Sequence, residues 1–314
     1  MISFRFRSRT APLLAVLALA LGGAGCGSDD GDDGTSRDAK ALLSDAFTKQ
    51  VESGDLELRV KGDVEGVKSL EDPVSMTLDG PFKSNGTKKL PTLDWDFVFD
   101  GAGQKISGGL IATRDNAFLE LQGQAYEVGE DLFARLSREV ASTQPGRPAS
   151  PGKLGMHPER WLEDPKVEDG EAIGGDETRR ITGSVDVRKV VQDFVNLLES
   201  PTVRKQLERQ GQSPDMVKPS QAEVREIEEA IEDVDVEIDV DDNDVLRRFA
   251  ADVRFKNPDK EDVKGRLDLE YVLRKVGTDP SIRAPADARP LSELLGGFGL
   301  GGLVTPGKPG TGRD

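Results

Sequence analysis

The run VDVEIDVD, residues 234–241, alternates apolar and acidic side chains without a break. Successive side chains of a β-strand point to opposite faces, so this period of two predicts a strand with one apolar and one charged face. Antiparallel sheets that have one face in water show this pattern. The same alternation recurs along the chain at 56–60, 74–78, 93–99, 249–255 and 263–271.

Turns and helices separate these strands. Asn85-Gly86 and Asp100-Gly101 predict hairpin turns, and further strands are expected at 106–112 and 117–121, which makes an antiparallel meander. A strand at 178–185 is predicted to follow a turn-rich acidic segment after Trp161. Apolar residues at helical spacing predict helices at 38–51, at 130–142 and after Asp186, which can cap its helix. The highly charged stretch 201–230 is interpreted as a solvated helical spacer.

Helices that interrupt a long antiparallel meander indicate an α+β fold, in which a curved sheet forms a half-barrel around helices. A sheet of about ten strands tends to curl. Such an arrangement either leaves an apolar cavity between sheet and helices or is packed solid, and the alternation is compatible with both. The strand residues predicted to line a cavity are Met76, Trp95, Phe97, Phe99, Ile238, Phe249 and Phe255.

The first 25 residues have the organisation of an export signal. Three arginines precede an apolar run at 11–21, and Gly22-Gly23-Ala24-Gly25 leads to Cys26, the only cysteine. The apolar run is shorter than the roughly 20 residues that span a bilayer. The zones predict a lipoprotein signal, cleaved before Cys26, whose thiol carries the lipid, palmitate included, that anchors the chain to the outer face of the cell membrane. The alternative is an ordinary secretory signal that happens to contain a thiol.

Charge narrows the choice of partners. The chain has 42 basic and 58 acidic residues, and three basic ones precede Cys26, so the processed chain carries a net charge of −19. Nucleic acid is excluded as a partner because phosphate binding needs a basic surface. Adhesion to anionic headgroups is disfavoured for the same reason, so the lipid on Cys26 is expected to make the membrane contact.

Motifs for catalysis, cofactors or metals are weak. His157 is the only histidine, and its place beside Pro158 predicts an exposed loop residue rather than a member of a catalytic triad. Residues 239–244 could offer oxygen ligands to calcium but lack the glycine and distal glutamate of an EF-hand, and a hairpin turn explains them better. The glycines of 296–302 lack the context of a phosphate loop. We therefore predict no enzyme, no cofactor and no metal.

Three segments resemble a known family. Trp161-Leu162-Glu163-Asp164-Pro165-Lys166-Val167, Thr178-Arg179-Arg180-Ile181-Thr182-Gly183-Ser184-Val185-Asp186-Val187 and Ala284-Pro285-Ala286-Asp287-Ala288-Arg289-Pro290-Leu291-Ser292-Glu293-Leu294-Leu295 are similar to actinobacterial lipoproteins of the LppX/LprG type. The resemblance extends over most of residues 38–296 through the order of elements. It implies a LolA-like half-barrel that carries lipids or lipoglycans across the cell envelope, and it brings no catalytic motif.

The expected organisation is a signal peptide at 1–25, a flexible tether at 26–37, one half-barrel domain at 38–296 with a charged insert around 201–230, and a disordered tail at 297–314. One hypothesis is a membrane-anchored lipoprotein that binds or transfers a lipid or lipoglycan in an apolar cavity. The other is an envelope interaction or sensor module with a solid core, whose acidic face at Asp235, Glu237 and Asp239 docks a protein partner.

Overall fold

The structure is a computed structural model that describes residues 35–67, 72–86, 89–101, 103–143, 157–200, 204, 208, 219–258 and 260–297. Its helices are α1 (Thr35–Thr48), α2 (Glu130–Thr143), α3 (Val187–Glu199), α4 (Gln221–Ala230) and α5 (Leu291–Gly297), with a 3-10 turn at Pro158–Arg160. Its strands are β1 (Ser53–Glu65), β2 (Val74–Lys83), β3 (Thr92–Gly101), β4 (Gln104–Ala112), β5 (Ala117–Leu121), β6 (Gln124–Glu127), β7 (Leu162–Asp169), β8 (Thr178–Val185), β9 (Ile231–Asp241), β10 (Leu246–Asn257), β11 (Lys260–Arg274) and β12 (Arg289–Pro290).

All twelve strands belong to one sheet, in the order β12-β6-β5-β4-β3-β2-β1-β11-β10-β9-β8-β7. Every neighbouring pair is antiparallel except β12 and β6. The centre of the sheet is the β1–β11 pair, which runs from Asp55 opposite Arg274 to Glu65 opposite Lys264. The sheet therefore consists of two meanders, β1 to β6 and β7 to β11. They join where β1, the first strand of one, pairs with β11, the last strand of the other. The predicted α+β class with one large antiparallel sheet is confirmed.

Two helices begin where their side chains satisfy free backbone N–H groups. Asp186 caps α3 by accepting from the backbone N–H of Lys189, as its position in the sequence predicted. Ser220 and Glu223 form a reciprocal capping box at the start of α4. The Asp186 carboxylate also pairs with the Lys189 ammonium at 2.8 Å, and the hydrogen bond to Lys189 lowers the pKa of Asp186.

The segment between Trp161 and the strand at 178 was predicted to be turn-rich, but its first part, Leu162–Asp169, forms the edge strand β7, and the turn at Ile173–Asp176 follows only after it. Pro165 lies inside β7, and the ladder with β8 shifts register between Glu163 and Lys166. A proline is tolerated at a sheet edge or a bulge, because no neighbouring strand needs its missing N–H. The sequence signals of a turn thus mark a bulged edge strand.

The hairpin turn predicted at Asp100-Gly101 lies two residues further along the chain. Asp100 and Gly101 pair with Lys105 and Gln104 inside the β3–β4 ladder, so the chain turns only after Gly101. Helix α1 also begins and ends three residues before the predicted 38–51. Residues 298–314 and most of 201–218 lie outside the described residues.

Helix α1 supplies the main core contact. Its side chains Ala39, Leu42, Leu43 and Ala46 are at most 6% exposed and pack in one cluster with residues of the sheet. The other residues of that cluster are Leu58, Leu162, Ile181, Ile238, Val240, Leu246, Tyr271 and Leu273 of the sheet and Val245 of the β9–β10 turn. The helix therefore covers the part of the sheet formed by β1 and β7 to β11.

Candidate functional site

One face of the sheet is apolar along consecutive rows of cross-strand neighbours. We call this the apolar face. It is the side of the sheet to which the side chains of Leu58 and Phe97 point. The first row reads Phe97, Leu78, Leu58, Tyr271, Phe249, Ile238 and Ile181, from β3 to β8. The second reads Ile106, Phe99, Met76, Val60, Leu269, Ala251 and Val236, from β4 to β9. The third reads Val74, Gly62, Leu267, Val253 and Val234.

No ionisable group other than the phenol of Tyr271 lies in these rows. Burial of Tyr271 raises the pKa of its phenol, which therefore stays neutral at physiological pH. An uncharged surface several strands wide is suited to hydrocarbon, because apolar surface gains free energy in proportion to the area removed from water.

Coverage of the apolar face is uneven. In the first row Ile181, Ile238, Leu58 and Tyr271 are at most 7% exposed, because α1 packs over them. In the second row Phe99 is 37% and Ile106 is 47% exposed, and the rest of that row is half-buried. The face is thus a packed core towards β8 and an open surface towards β4.

The predicted lining residues divide along the same line. Ile238 is 1% exposed and belongs to the core cluster. Phe249 is its cross-strand neighbour and is half-buried. Met76, Phe97 and Phe99 lie together on β2 and β3. Phe255 is half-buried near the far end of β10.

The seventh predicted residue, Trp95, lies on β3 opposite Leu110 of β4. Its indole Nε1 is shielded from solvent and has no hydrogen-bond partner among the described residues. A buried donor without an acceptor costs about 1–3 kcal/mol. Trp95 therefore brings one unsatisfied polar group to the open part of the apolar face.

An aromatic group marks the boundary between the packed and the open part. The ring of Phe47, at the end of α1, meets Phe249 edge-on at a centroid distance of 6.1 Å and Trp161 at 6.2 Å. Such pairs contribute about 0.5–1.5 kcal/mol beyond their buried area. These three rings fix the end of α1 against β10.

Asp193 of α3 holds Trp161 in this group. The residue is only 7% exposed. Its carboxylate accepts from the Trp161 indole N–H at 2.8 Å and from the backbone N–H of His157. A buried carboxylate needs such partners. Sequence reasoning missed this residue, because an aspartate within an amphipathic helix gives no signal of its tertiary partner.

His157 itself lies in the predicted loop, but it is half-buried and not exposed as the sequence predicted. Its side chain is 32% exposed, and Nδ1 lies 3.1 Å from the Glu159 carboxylate.

On the opposite face of the sheet, strands β8 to β10 carry ion pairs between acidic and basic side chains. Asp239 is fully buried and accepts from two guanidinium nitrogens of Arg180, at 2.8 and 3.1 Å. This hydrogen bonding raises the pKa of Arg180. Glu237 accepts from Arg248 at 2.8 Å, and Asp235 from Arg254 at 3.0 Å. The three acids that the second hypothesis assigned to docking are therefore engaged within the sheet.

The acidic run at 239–244 is a hairpin turn, as predicted. One oxygen of Asp241 accepts from the backbone N–H groups of Asn243 and Val245, at 2.8 and 3.0 Å. The other lies 3.0 Å from Nε of the buried Arg247. The carboxylate of Asp241 is thus engaged in the turn. The described residues contain no cluster of acidic, histidine or cysteine side chains suited to a metal.

An open cleft of about 480 Å³ lies where β8 meets α3, beside the end of α4. Its lining is mostly charged and consists of Glu163, Val185, Asp186, Val187, Arg188, Glu228 and Glu229. The cleft is therefore chemically unlike the apolar face. No helix in the described part of the chain is long and apolar enough to cross a membrane.

No protein-family model matches the chain, and no curated protein gives a significant match. Solved structures to which it is similar include LprF from Mycobacterium bovis, at 14% identity and a TM-score of 0.36, covering 81% of this chain and 100% of that one. A LolA superfamily protein from Nitrosomonas europaea has 9% identity and a TM-score of 0.18, covering 81% of this chain and 96% of that one. At identities and TM-scores this low, the likeness assigns no ligand and no partner to this chain.

Proposed function

We propose that this chain is a lipid-anchored lipoprotein of the cell envelope, which binds a lipid or lipoglycan on the apolar face of its sheet and carries it across the envelope without enzymatic turnover. The observation that carries the proposal is the uneven cover of the apolar face. The rows continue uncharged from the packed core to the exposed Phe99 and Ile106. Soluble domains rarely leave a contiguous apolar surface open unless it binds something.

The half-barrel is part of this proposal. Open, twisted sheets rarely exceed about ten strands without curling, and this sheet has twelve. A sheet that curls around α1 would bring the rings of Phe97, Phe99 and Phe249 towards a common interior. Met76, Trp95 and Phe255 would complete the lining, with Ile238 at its packed end.

The anchor rests on the N-terminal sequence. Removal of residues 1–25 would leave Cys26 as the acceptor of the lipid, with the residues up to the start of α1 as tether and the chain from α1 to residue 296 as the folded domain. More than one acyl chain gives a stable anchor, because each buried CH₂ contributes about 0.8 kcal/mol. Radiolabelled palmitate should enter the parent chain and not the Cys26→Ala variant, which should leave the membrane fraction. A Cys26→Ala chain that stays with membranes would remove the anchor from the proposal and leave the lipid site to be tested separately.

The lipid site is tested with the chain's own fluorescence. Trp95 and Trp161 are its only tryptophans, so Trp161→Phe leaves Trp95 as the reporter on the apolar face. Bromine quenches tryptophan at contact. Detergent-assisted loading with phosphatidylcholine brominated on its acyl chains should therefore quench Trp95, whereas the unbrominated lipid should not. Equal emission with both lipids would show that no acyl chain reaches this face.

A further inference from the structure

The exposed apolar residues of the described chain are not scattered. Five large hydrophobic side chains are exposed among the described residues, and three of them, Phe99, Ile106 and Leu110, lie on the same face of the β3–β4 hairpin. Phe99 and Ile106 are direct cross-strand partners. Leu110 lies four residues further along β4, a distance of roughly 13 Å in an extended strand. We call these three residues the hairpin strip.

The hairpin strip is continuous with the rest of the apolar face, and no charged side chain lies between the two. Phe99 is the neighbour of Met76 in the second row, and Leu110 is the neighbour of Trp95. Between Ile106 and Leu110 stands Gly108, against which the ring of Phe97 packs so closely that a Cβ would lie 2.7 Å from it. An acyl chain could therefore pass from the strip to the first row over uncharged surface alone.

The acidic residues of this hairpin point the other way. Asp94, Asp96 and Asp100 alternate with the apolar residues of β3, so their side chains lie on the opposite face. Burial and the neighbouring Asp96 raise the pKa of Asp94. The same side also carries Lys105, opposite Asp100, and the buried Ile111, opposite Asp94. The strip itself is uncharged, so it is complementary to hydrocarbon and not to charged headgroups.

The tether sets how far the start of the folded domain can lie from the membrane. Eight residues separate Cys26 from the start of α1 at Thr35. A fully extended chain spans at most about 3.6 Å per residue, so the helix begins within about 30 Å of a lipid-anchored Cys26. A domain held this close can bring an exposed apolar strip into contact with the bilayer.

We propose that the hairpin strip is the surface through which the protein meets the hydrocarbon of the bilayer, and over which acyl chains enter and leave the apolar face. This inference rests on the proposed function and adds the place of exchange to it. The hairpin strip contacts hydrocarbon in this proposal and does not bind a second copy of the chain.

The test compares the double variant Phe99→Thr/Ile106→Thr with Leu136→Gln in the full lipidated protein. Threonine keeps the preference for a strand, and Leu136 is a matched control because it is 44% exposed on α2. The readout is the rate at which a fluorescent acyl-labelled phosphatidylcholine leaves phosphatidylcholine vesicles. Loss of two half-exposed apolar side chains from the contact should slow the double variant about tenfold or more. The control should keep the parent rate, and an equal rate in the double variant would overturn the proposal.

Loading from detergent separates this failure from failure of the proposed function. No membrane contact is needed in detergent, so the parent should take up lipid there, and the double variant should lose more of its transfer rate from vesicles than of its uptake from detergent. Protein that takes up no lipid from detergent, parent included, would refute the lipid site itself.

A second measurement does not depend on lipid uptake. An environment-sensitive dye at Ile106→Cys should shift to the blue when the protein is anchored in vesicles, whereas the dye at Leu136→Cys should not. A dye at 106 that stays in water, or that shifts only with protein concentration through self-association, would overturn the proposal whatever the transfer rates.

Discussion

The indole N–H of Trp161 donates a 2.8 Å hydrogen bond to the carboxylate of Asp193. It ties helix α3 to the ring that lies against Phe47 and, through Phe47, to Phe249 on the sheet. A buried carboxylate that serves two N–H donors is thus part of the frame around the apolar face.

Replacement of Asp193 should destabilise the domain. Asp193→Ala leaves the indole N–H of Trp161 and the backbone N–H of His157 without their acceptor, so the free energy of unfolding should fall by about 1.5–3 kcal/mol in urea denaturation. Asp193→Asn should lose less, since the amide oxygen still accepts one hydrogen bond. Equal stability of the alanine variant and the parent would contradict the role assigned to Asp193.

The Arg180–Asp239 pair should matter more than an exposed pair on the same face. Asp239→Ala removes both hydrogen bonds of a guanidinium whose side chain is only 20% exposed and leaves it only the Glu237 carboxylate, 3.7 Å away. Loss of one partner of a buried pair costs about 3–5 kcal/mol. Asp235→Ala breaks a pair with Arg254 in which the side chains are 69% and 52% exposed, and it should cost no more than about 1 kcal/mol. Similar unfolding midpoints for both variants would show that burial of Asp239 has no energetic effect.

Two glycines of the apolar face provide a matched test of packing near Phe97. A Cβ on Gly108 would lie 2.3 Å from the Glu120 carbonyl oxygen and 2.7 Å from the Phe97 ring, whereas a Cβ on Gly62 meets nothing within 4 Å. Gly108→Ala should therefore lower the free energy of unfolding by about 1–3 kcal/mol and displace Phe97. Gly62→Ala should leave both stability and lipid content near those of the parent. A harmless Gly108→Ala would mean that β4 and β5 are spaced more widely than described.

Tyr271 should make the free energy of unfolding fall at alkaline pH. Burial raises the pKa of its phenol in the folded chain above the unfolded value, so the folded state holds this proton more tightly. Stability from this group is complete below the ordinary tyrosine pKa and falls as the pH rises above it. Denaturant midpoints measured across that range should decline in the parent and decline less in Tyr271→Phe. Identical curves would show that the phenol is not buried in the folded chain.

The sequence predicted which face of the sheet each side chain takes better than it predicted which strands pair with each other. A period of two assigns Phe97 and Ile238 to the apolar side because alternation is a local property of a strand. The pairing of β1 with β11 joins Asp55 to Arg274, and no local pattern specifies a contact so distant in sequence. Strand β7 was missed because Pro165 and its acidic neighbours resemble a turn.

The same limit applies to the candidate site. Ile238 and Phe99 have the same alternating pattern, yet one is 1% and the other 37% exposed. The difference arises from α1, which covers one part of the apolar face and leaves the other open. Periodicity reports which side a residue takes, and only tertiary packing decides whether that side is filled. Cys26 lies outside the described residues and stays a prediction from the sequence.

The most direct test of the central claim is native mass spectrometry of the full-length protein, extracted in mild detergent from the membranes of a lipoprotein-processing host. A lipid-binding domain predicts two additions to the polypeptide mass: a covalent lipid that survives denaturation and is absent from Cys26→Ala, and a non-covalent lipid that denaturation releases. Protein that carries no releasable lipid, before or after incubation with phospholipid vesicles, would contradict the account.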